Sequence, residues 1–263
     1  MTLFDTLSTL ETGWPEFQPG HVWLAGAGPG DPRHLTLEVL SALAQADVVV
    51  FDALVNEAVL LLCPRAEHIY AGKRGGKPSA AQADICATLI LEARKGKRVL
   101  RLKGGDPFLF GRGGEEALAL TAEHIPFRVL PGLTSAFAAL ATAHIPVTMR
   151  GLSRAVTFAT GHAADEPDDL DWAALARTGE PIIVYMGMKN LEKIIAKLLQ
   201  AGLSGETPAA IIMAATTAQE RIMTAPLHEL AAEARRQGFA APALIVIGSI
   251  VTMRARLSGG TTA

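Results

Sequence analysis

The chain has 263 residues, of which 49% are hydrophobic, enough for the cores of two domains. Its net charge of −2 supplies no basic surface of the kind that nucleic acids require, so DNA and RNA are not expected partners. The two cysteines, Cys63 and Cys86, lie in apolar segments without metal-binding spacing. They indicate reduced thiols in a cytoplasmic protein and no metal site. The sequence also predicts no signal peptide and no membrane span.

The first half of the chain alternates short apolar strands with amphipathic helices after a loosely attached N-terminal arm, residues 1–20. Strands are predicted at 21–25, 48–51, 98–102 and 127–130, and helices at 35–45, 53–61, 80–95, 115–123 and 136–143. Pro146 ends the last of these helices, so a domain boundary is predicted between residues 144 and 145.

The second half keeps the same alternation. Strands are predicted at 155–160, 181–186, 209–213, 221–224 and 243–248, helices at 191–201 and 227–237, and an acidic loop at 165–171. The final segment, 258–263, is expected to be a flexible tail. The chain therefore predicts two α/β domains, 21–144 and 145–257, with mixed or parallel sheets.

The most informative stretch is residues 101–116, RLKGGDPFLFGRGGEE, which follows a short apolar strand. Gly104 and Gly105 allow the backbone to approach a ligand closely because no Cβ is in the way. Asp106-Pro107 favours an extended turn before the next helix begins. An ordinary glycine-rich connection would show the same local features, so this loop alone does not define a site.

Other strand ends carry polar groups that suit ligand binding. Asp52 ends a buried strand, where open α/β sheets place ligand-binding residues, although it could equally cap the next helix. Thr134 and Ser135 have the same two interpretations. The segment 71–78, AGKRGGKP, holds three cations among glycines and suits the binding of carboxylates.

Several cofactor classes are disfavoured by the motifs. The first glycine loop, GAGPGDP, has Asp31 where a dinucleotide fingerprint has its third glycine. The P-loop signature and the GxSxG nucleophile elbow are both missing from the sequence. The pattern alone favours an α/β enzyme that binds an adenosine-type cofactor and an anionic substrate.

Seven motifs, in this order and at these intervals, resemble the uroporphyrinogen-III C-methyltransferases of the tetrapyrrole methylase superfamily. They are GAGPGDP, FDALV, AGKRGGKP, RLKGGDPFLFGRGGEE, VLPGLTSA, VTFATGH and VYMGM, and the similarity covers about residues 20–255. The resemblance implies the tetrapyrrole methylase (class III methyltransferase) fold and a homodimer. It also implies methylation of C2 and C7 of uroporphyrinogen III by S-adenosyl-L-methionine. The products would be S-adenosyl-L-homocysteine and precorrin-2, a precursor of sirohaem, cobalamin and haem d1.

The resemblance also implies roles for individual residues. It makes Asp52 the proton acceptor and Lys73 the proton donor. The cofactor-binding residues that it implies are Pro29, Gly104, Gly105, Asp106, Leu109, Thr134, Ser135, Met186, Ala215 and Ala243. Because the implied substrate carries carboxylates, Lys73 and Arg150 are expected to bind it. Arg74, Lys77 and Arg112 could equally bind the substrate or be ordinary surface cations. The chain departs from the family where Thr-His-Arg is usual, because it has Thr148-Met149-Arg150.

Two alternatives remain open at this stage. One is a related methyltransferase that acts on another tetrapyrrole or precorrin, or on a diphthamide-type protein substrate; the AGKRGG loop argues against it. The other is a binding module without catalysis, against which the retention of Asp52 and Lys73 argues.

Overall fold

The computed structural model describes residues 13–72, 82–161 and 170–259. Segment 73–78 of the cationic loop, most of the acidic loop and residues 260–263 of the predicted tail lie outside the described residues. Contacts group the chain into two compact units. The first unit contains the chain up to Ala27 together with Pro32–Gly132, and the second contains Gly28–Asp31 and the chain from Leu133 onward.

The first unit is built on a five-stranded sheet in which every strand is parallel to its neighbours. Its strands are β1 (Val22–Gly26), β2 (Val48–Phe51), β3 (Glu67–Tyr70), β4 (Val99–Lys103) and β5 (Phe127–Leu130), in the spatial order β3-β2-β4-β1-β5. The strands β1 and β2 are apolar because both faces of a parallel sheet are buried, whereas β4, at the centre of the sheet, also contains Arg101 and Lys103. All five carboxyl ends therefore lie along one edge, where ligands bind in open α/β sheets.

The helices of the first unit are α1 (Leu37–Gln45), α2 (Glu57–Leu60), α3 (Gln82–Arg94) and α4 (Gly113–Ala122). The predicted helix over 53–61 is wrong for its first residues. The Asn56 side chain accepts a hydrogen bond from the Ala58 N–H at 2.9 Å and begins the helix at Glu57. An Asn in extended conformation is a favoured N-cap, so the chain before it forms a turn.

Residues 13–20, expected to belong to a loose arm, are anchored to the first unit. The Phe17 ring is buried and stacks on Trp23 with ring centroids 4.2 Å apart. The Phe17 N–H also donates to the Gln45 side chain at 2.9 Å. This aromatic anchor corrects the expectation for the last part of the arm, since burial of such a ring stabilises the packed position.

The second unit contains a mixed five-stranded sheet in the order β6-β7-β10-β8-β9. Its strands are β6 (Thr157–Thr160), β7 (Ile182–Tyr185), β8 (Pro208–Met213), β9 (Arg221–Pro226) and β10 (Ala243–Ile247). Only β6 and β7 pair in parallel; the other three pairings are antiparallel. One parallel and one mixed sheet confirm the predicted α/β class.

The helices of the second unit are α5 (Ser135–Thr142), α6 (Trp172–Arg177), α7 (Leu191–Gln200), α8 (Leu230–Arg236) and α9 (Met253–Leu257). Helix α5 packs in one core with the mixed sheet, through buried residues such as Leu140, Ile183 and Val246. Contacts thus assign α5 to the second unit, whereas the sequence placed the boundary after it. Among the described helices, none is long and apolar enough to cross a membrane.

Candidate active site

Three loops meet at the carboxyl edge of the parallel sheet because each carries a glycine at the point of contact. Gly26 ends β1, Gly105 follows β4 and Gly132 follows β5. A Cβ at Gly132 would lie 2.6 Å from the Gly26 Cα and still closer to the Gly105 carbonyl oxygen. Backbone atoms cannot yield by that much, so only glycine allows this approach.

Asp106 ties two of these loops together. Its Oδ2 accepts a hydrogen bond from the Gly132 N–H at 3.1 Å, and its Oδ1 accepts one from the Phe108 N–H at 2.8 Å. The carboxylate therefore holds the loop after β4 against the loop after β5. Gly104 completes the arrangement, because a Cβ there would lie 2.7 Å from the Leu54 Cβ. The loop between β4 and α4, residues 104–112, is the central loop; it runs against the turn that follows Asp52.

The Asp52 side chain is half-buried at the end of β2, and its carboxylate makes two contacts. Its Oδ1 accepts a hydrogen bond from the Leu54 N–H at 3.1 Å. Its Oδ2 lies 3.7 Å from Nη2 of Arg101, which is buried. Since Asn56 caps the following helix, Asp52 is not that cap, and its carboxylate faces a fixed cation.

A buried ionic network lies behind Asp52, and the sequence analysis did not recognise it. Glu116 Oε1 accepts hydrogen bonds from Arg101 Nε at 3.1 Å, Lys103 Nζ at 2.9 Å and Gln82 Nε2 at 3.1 Å. Burial and the Arg101 charge lower the pKa of Lys103. The sequence did contain a signal for this network, because β4 carries two cations although it lies between two parallel strands. Buried charges require partners, so these cations indicate a buried anion nearby.

The remaining predicted residues of the central loop lie before and at the start of α4. Leu109 is partly buried, and Arg112 is the residue that precedes the helix. The Arg112 guanidinium binds the Glu115 carboxylate through two hydrogen bonds of 2.9 and 2.6 Å. Both side chains are exposed, so this pair presents a fixed fork at the surface.

In the second unit, the first glycine loop lies against the chain that follows β8. The Asp31 N–H donates to Thr216 Oγ1 at 3.3 Å, and a Cβ at Gly30 would lie 3.6 Å from the Ala215 carbonyl oxygen. This contact brings Pro29 near Ala215. Ala243 begins the neighbouring strand and pairs with Met213, so three predicted cofactor residues share one end of the mixed sheet.

Thr134 and Met186, two further predicted cofactor residues, are linked by the tyrosine between them in space. Thr134 Oγ1 lies 2.6 Å from Tyr185 Oη, and Met186 follows Tyr185 at the end of β7. Ser135 is the first residue of α5. The structure therefore gathers these three positions at the start of α5.

Strained backbone is concentrated in the strand-end loops of both units. Among the described residues, seven that are not glycine have φ between 48° and 64°. Two of them follow helices; the other five are Phe110, Arg112, Met186, Ala214 and Thr216. Left-handed conformations cost about 1 kcal/mol or more and persist mainly at functional sites. Each of these five is, or lies next to, a predicted site residue.

The structure describes only some of the residues that were predicted to bind the substrate. Lys73, Arg74 and Lys77 lie outside the described residues. Arg150 is exposed, and Met149 before it donates its N–H to Ser153 Oγ at 3.2 Å. The Met149 side chain is 37% exposed, so the residue that departs from the family pattern lies at the surface of the second unit.

Comparison with known proteins places the chain in a family. The model of the Tetrapyrrole (Corrin/Porphyrin) Methylases matches residues 21–231. The chain belongs to the tetrapyrrole methylases. A uroporphyrinogen-III C-methyltransferase from Sinorhizobium sp. is 48% identical over 254 residues, which cover 95% of this chain and 91% of that protein. A siroheme synthase from Azotobacter vinelandii is 46% identical over 91% of this chain. The chain spans about half of that longer relative, 52% of its length.

Solved structures of tetrapyrrole methylases show the same fold. The uroporphyrin-III C-methyl transferase of Thermus thermophilus, complexed with S-adenosyl homocysteine, has a TM-score of 0.75 and 37% identity. That match covers 88% of this chain and 99% of the other. A cobalt precorrin-4 methyltransferase has a TM-score of 0.80 and 28% identity, with 88% and 96% of the two chains covered.

Proposed function

We propose that this tetrapyrrole methylase transfers methyl groups from S-adenosyl-L-methionine to C2 and C7 of uroporphyrinogen III and forms precorrin-2. The observation that carries the proposal is the 48% identity with the Sinorhizobium enzyme, which spans 91% of that protein. A similarity of this extent includes both units and all the strand-end loops. The product would serve the synthesis of sirohaem, cobalamin or haem d1.

The described residues fit the proposed cofactor. Glycines form a close-packed backbone at the ends of β1, β4 and β5, where a Cβ would collide with a neighbouring loop. Loops at the carboxyl ends of parallel strands are where open α/β sheets bind their ligands. In the second unit, the loop that contains Pro29 contacts the chain at Ala215, and Ala243 pairs with Met213 on the neighbouring strand. Thr134 contacts Tyr185, the residue before Met186. These residues would hold the cofactor.

In this proposal the chain mainly positions the reactants. S-adenosyl-L-methionine, when bound, supplies an electrophilic methyl group. Arg112 and Arg150, with Arg74 and Lys77, bind carboxylates of the tetrapyrrole and orient its ring carbon. Each transfer would release S-adenosyl-L-homocysteine and one proton from the ring, and Asp52 accepts that proton. The family resemblance assigns Lys73 as the proton donor. The contact of Asp52 with Arg101 supports the first role, because the buried guanidinium, 3.7 Å from Oδ2, fixes the position of the carboxylate.

The proposal is tested by anaerobic incubation of the full chain with uroporphyrinogen III and methyl-labelled S-adenosyl-L-methionine. Mass spectrometry then counts the labels on the tetrapyrrole. Two labels per product support precorrin-2 synthesis and show that Met149 is tolerated. An unlabelled tetrapyrrole, from protein that binds S-adenosyl-L-homocysteine, would refute uroporphyrinogen III as the substrate and leave the cofactor assignment intact.

One alternative has a specific observation in its favour. The TM-score of 0.80 with cobalt precorrin-4 methyltransferase exceeds the 0.75 with the Thermus enzyme, which suits a methyltransferase acting on a precorrin. Identity favours uroporphyrinogen III, since it is 28% for the former protein and 37% for the latter. Parallel incubation with a cobalt precorrin distinguishes the two.

We also propose that the protein is a homodimer in the cytoplasm. The family resemblance supports the dimer, and the free thiols of Cys63 and Cys86 suit a reducing compartment. Light scattering of the protein as it elutes from a size-exclusion column gives its molar mass. A monomeric mass at micromolar concentration would refute the dimer.

A further inference from the structure

Helix α5 begins with an unusual cap. Thr134 has the extended backbone of an N-cap, with φ −65° and ψ 145°, yet its hydroxyl caps no N–H of the helix. The Ala136 N–H instead donates to Tyr185 Oη at 3.2 Å, across 49 residues of sequence. A threonine at this position normally satisfies such an N–H itself. Here a phenol from β7 replaces it.

The hydrogen-bonding capacity of the two hydroxyls decides what this replacement achieves. The Ala136 N–H can only donate, so Tyr185 Oη accepts from it and keeps its own proton for another bond. Thr134 Oγ1 lies 2.6 Å away. The phenol is the more acidic hydroxyl and the better donor. With the phenol donating, the Thr134 proton is available for a different acceptor.

The Tyr185 ring is held in place by its surroundings. Phe158 on the adjacent strand β6 packs edge-on against it, with centroids 6.4 Å apart, and also against Phe137 of α5 at 5.7 Å. The Tyr185 carbonyl accepts the Gly161 N–H at 2.7 Å. The phenol is therefore pre-organised before any ligand arrives.

The residue after Tyr185 shows that this position is constrained. Met186 has φ 53° and a side chain that is 49% exposed. A left-handed methionine persists only where neighbouring contacts impose it. Tyr185 thus joins two predicted cofactor residues, Thr134 through its hydroxyl and Met186 through its backbone.

We propose that Tyr185 is a positioning residue of the cofactor site, which caps α5 in place of Thr134 and thereby leaves the Thr134 hydroxyl to donate to bound S-adenosyl-L-methionine. This inference rests on the proposed function. It assigns Tyr185 to cofactor affinity and not to the chemical step, because its hydroxyl is engaged with Thr134 and the helix.

The test is isothermal titration calorimetry, in which S-adenosyl-L-homocysteine is titrated into the full-length Tyr185→Phe variant. Removal of one hydroxyl lets Thr134 turn to the vacated Ala136 N–H, so the Kd rises about tenfold, equivalent to ~1.4 kcal/mol. The KM for S-adenosyl-L-methionine rises by a similar factor, while kcat at saturating cofactor stays within about twofold. A merely structural role would not separate the two constants.

Two further variants make the result specific. Thr134→Val also weakens binding, and the double variant is no weaker than the worse single one, because Tyr185 acts through Thr134. Ala139→Gly lowers the stability of the same helix without touching its cap, and its Kd stays at the wild-type value.

Three results overturn the assignment. They are an unchanged Kd for Tyr185→Phe, an equal loss in Ala139→Gly, and full additivity in the double variant. Wild-type protein that fails to bind S-adenosyl-L-homocysteine would instead refute the proposed function itself.

Discussion

Lys103 Nζ lies 2.9 Å from Glu116 Oε1, and both side chains are buried in the first unit. Arg101 binds the same carboxylate oxygen at 3.1 Å. Glu116 Oε2 has no hydrogen-bond partner among the described residues. One oxygen therefore compensates two buried cations, of which Arg101 also faces Asp52. The network stabilises the first unit and fixes the cation beside the proposed proton acceptor.

Glu116→Gln is expected to destabilise the protein strongly. It leaves Arg101 and Lys103 buried without their anion, which typically lowers the free energy of unfolding by about 3–5 kcal/mol. Urea unfolding followed by circular dichroism measures the change. The matched control is Glu115→Gln, whose ion pair with Arg112 is more than half exposed, with an expected change within about 1 kcal/mol. Equal losses in the two variants would contradict the prediction.

Asp47 provides a pH-dependent prediction at the opposite end of β2. Its carboxylate accepts hydrogen bonds from Arg98 Nη2 at 2.6 Å and from the Arg98 N–H at 2.9 Å. These bonds hold the pKa of Asp47 below its usual value. A depressed carboxyl pKa stabilises the fold above the unfolded-state value and loses that effect as the pH falls through the folded-state value.

Asp47→Asn should therefore be less stable than wild type at pH 7, and the difference should shrink below about pH 4. Because both side chains are more than a third exposed, solvent screening limits the difference to about 1 kcal/mol or less. Urea midpoints from pH 7 to pH 2.5 measure it. A difference that grew towards low pH would reverse the predicted sign.

Because the glycine loops approach one another closely, a substitution at Gly132 is expected to destabilise the protein. Gly132→Ala places a Cβ against backbone atoms of Gly26 and Gly105, so we expect a loss of at least about 2 kcal/mol of stability. Binding of S-adenosyl-L-homocysteine should weaken with it, since these loops are proposed to hold the cofactor. Gly114→Ala is the control, because nothing lies within 4 Å of the added methyl. In helix α4 it should be neutral or stabilise by up to about 1 kcal/mol.

Patterns that depend on neighbouring residues were predictable from the sequence. Apolar segments located four of the five parallel strands, and glycines located the loops at the carboxyl ends of β1, β4 and β5. The strand β3, with the sequence EHIY and two exposed residues, was not predicted. Pairings between distant residues were not predictable. Whether Asp52 and Thr134 are helix caps was open until the structure assigned the caps to Asn56 and Tyr185. The phenol lies 49 residues along the chain from Ala136, whose N–H it accepts, and no local periodicity encodes such a contact.

The proposed proton removal depends on Asp52, and Asp47 at the other end of β2 provides a matched control. Asp52→Asn keeps the size of the side chain and its turn with Leu54 but removes the proton acceptor. Turnover should fall by about 10²–10⁴-fold, with the Kd for S-adenosyl-L-homocysteine unchanged. Asp47→Asn alters a carboxylate at the other end of the same strand and should leave turnover at the wild-type level.

Because Arg101 would remain buried beside a neutral amide, Asp52→Asn should also lose some stability. Rates are therefore compared at a temperature where unfolding curves show every variant folded. Full turnover in Asp52→Asn, with unchanged substrate affinity, would assign proton removal to another group.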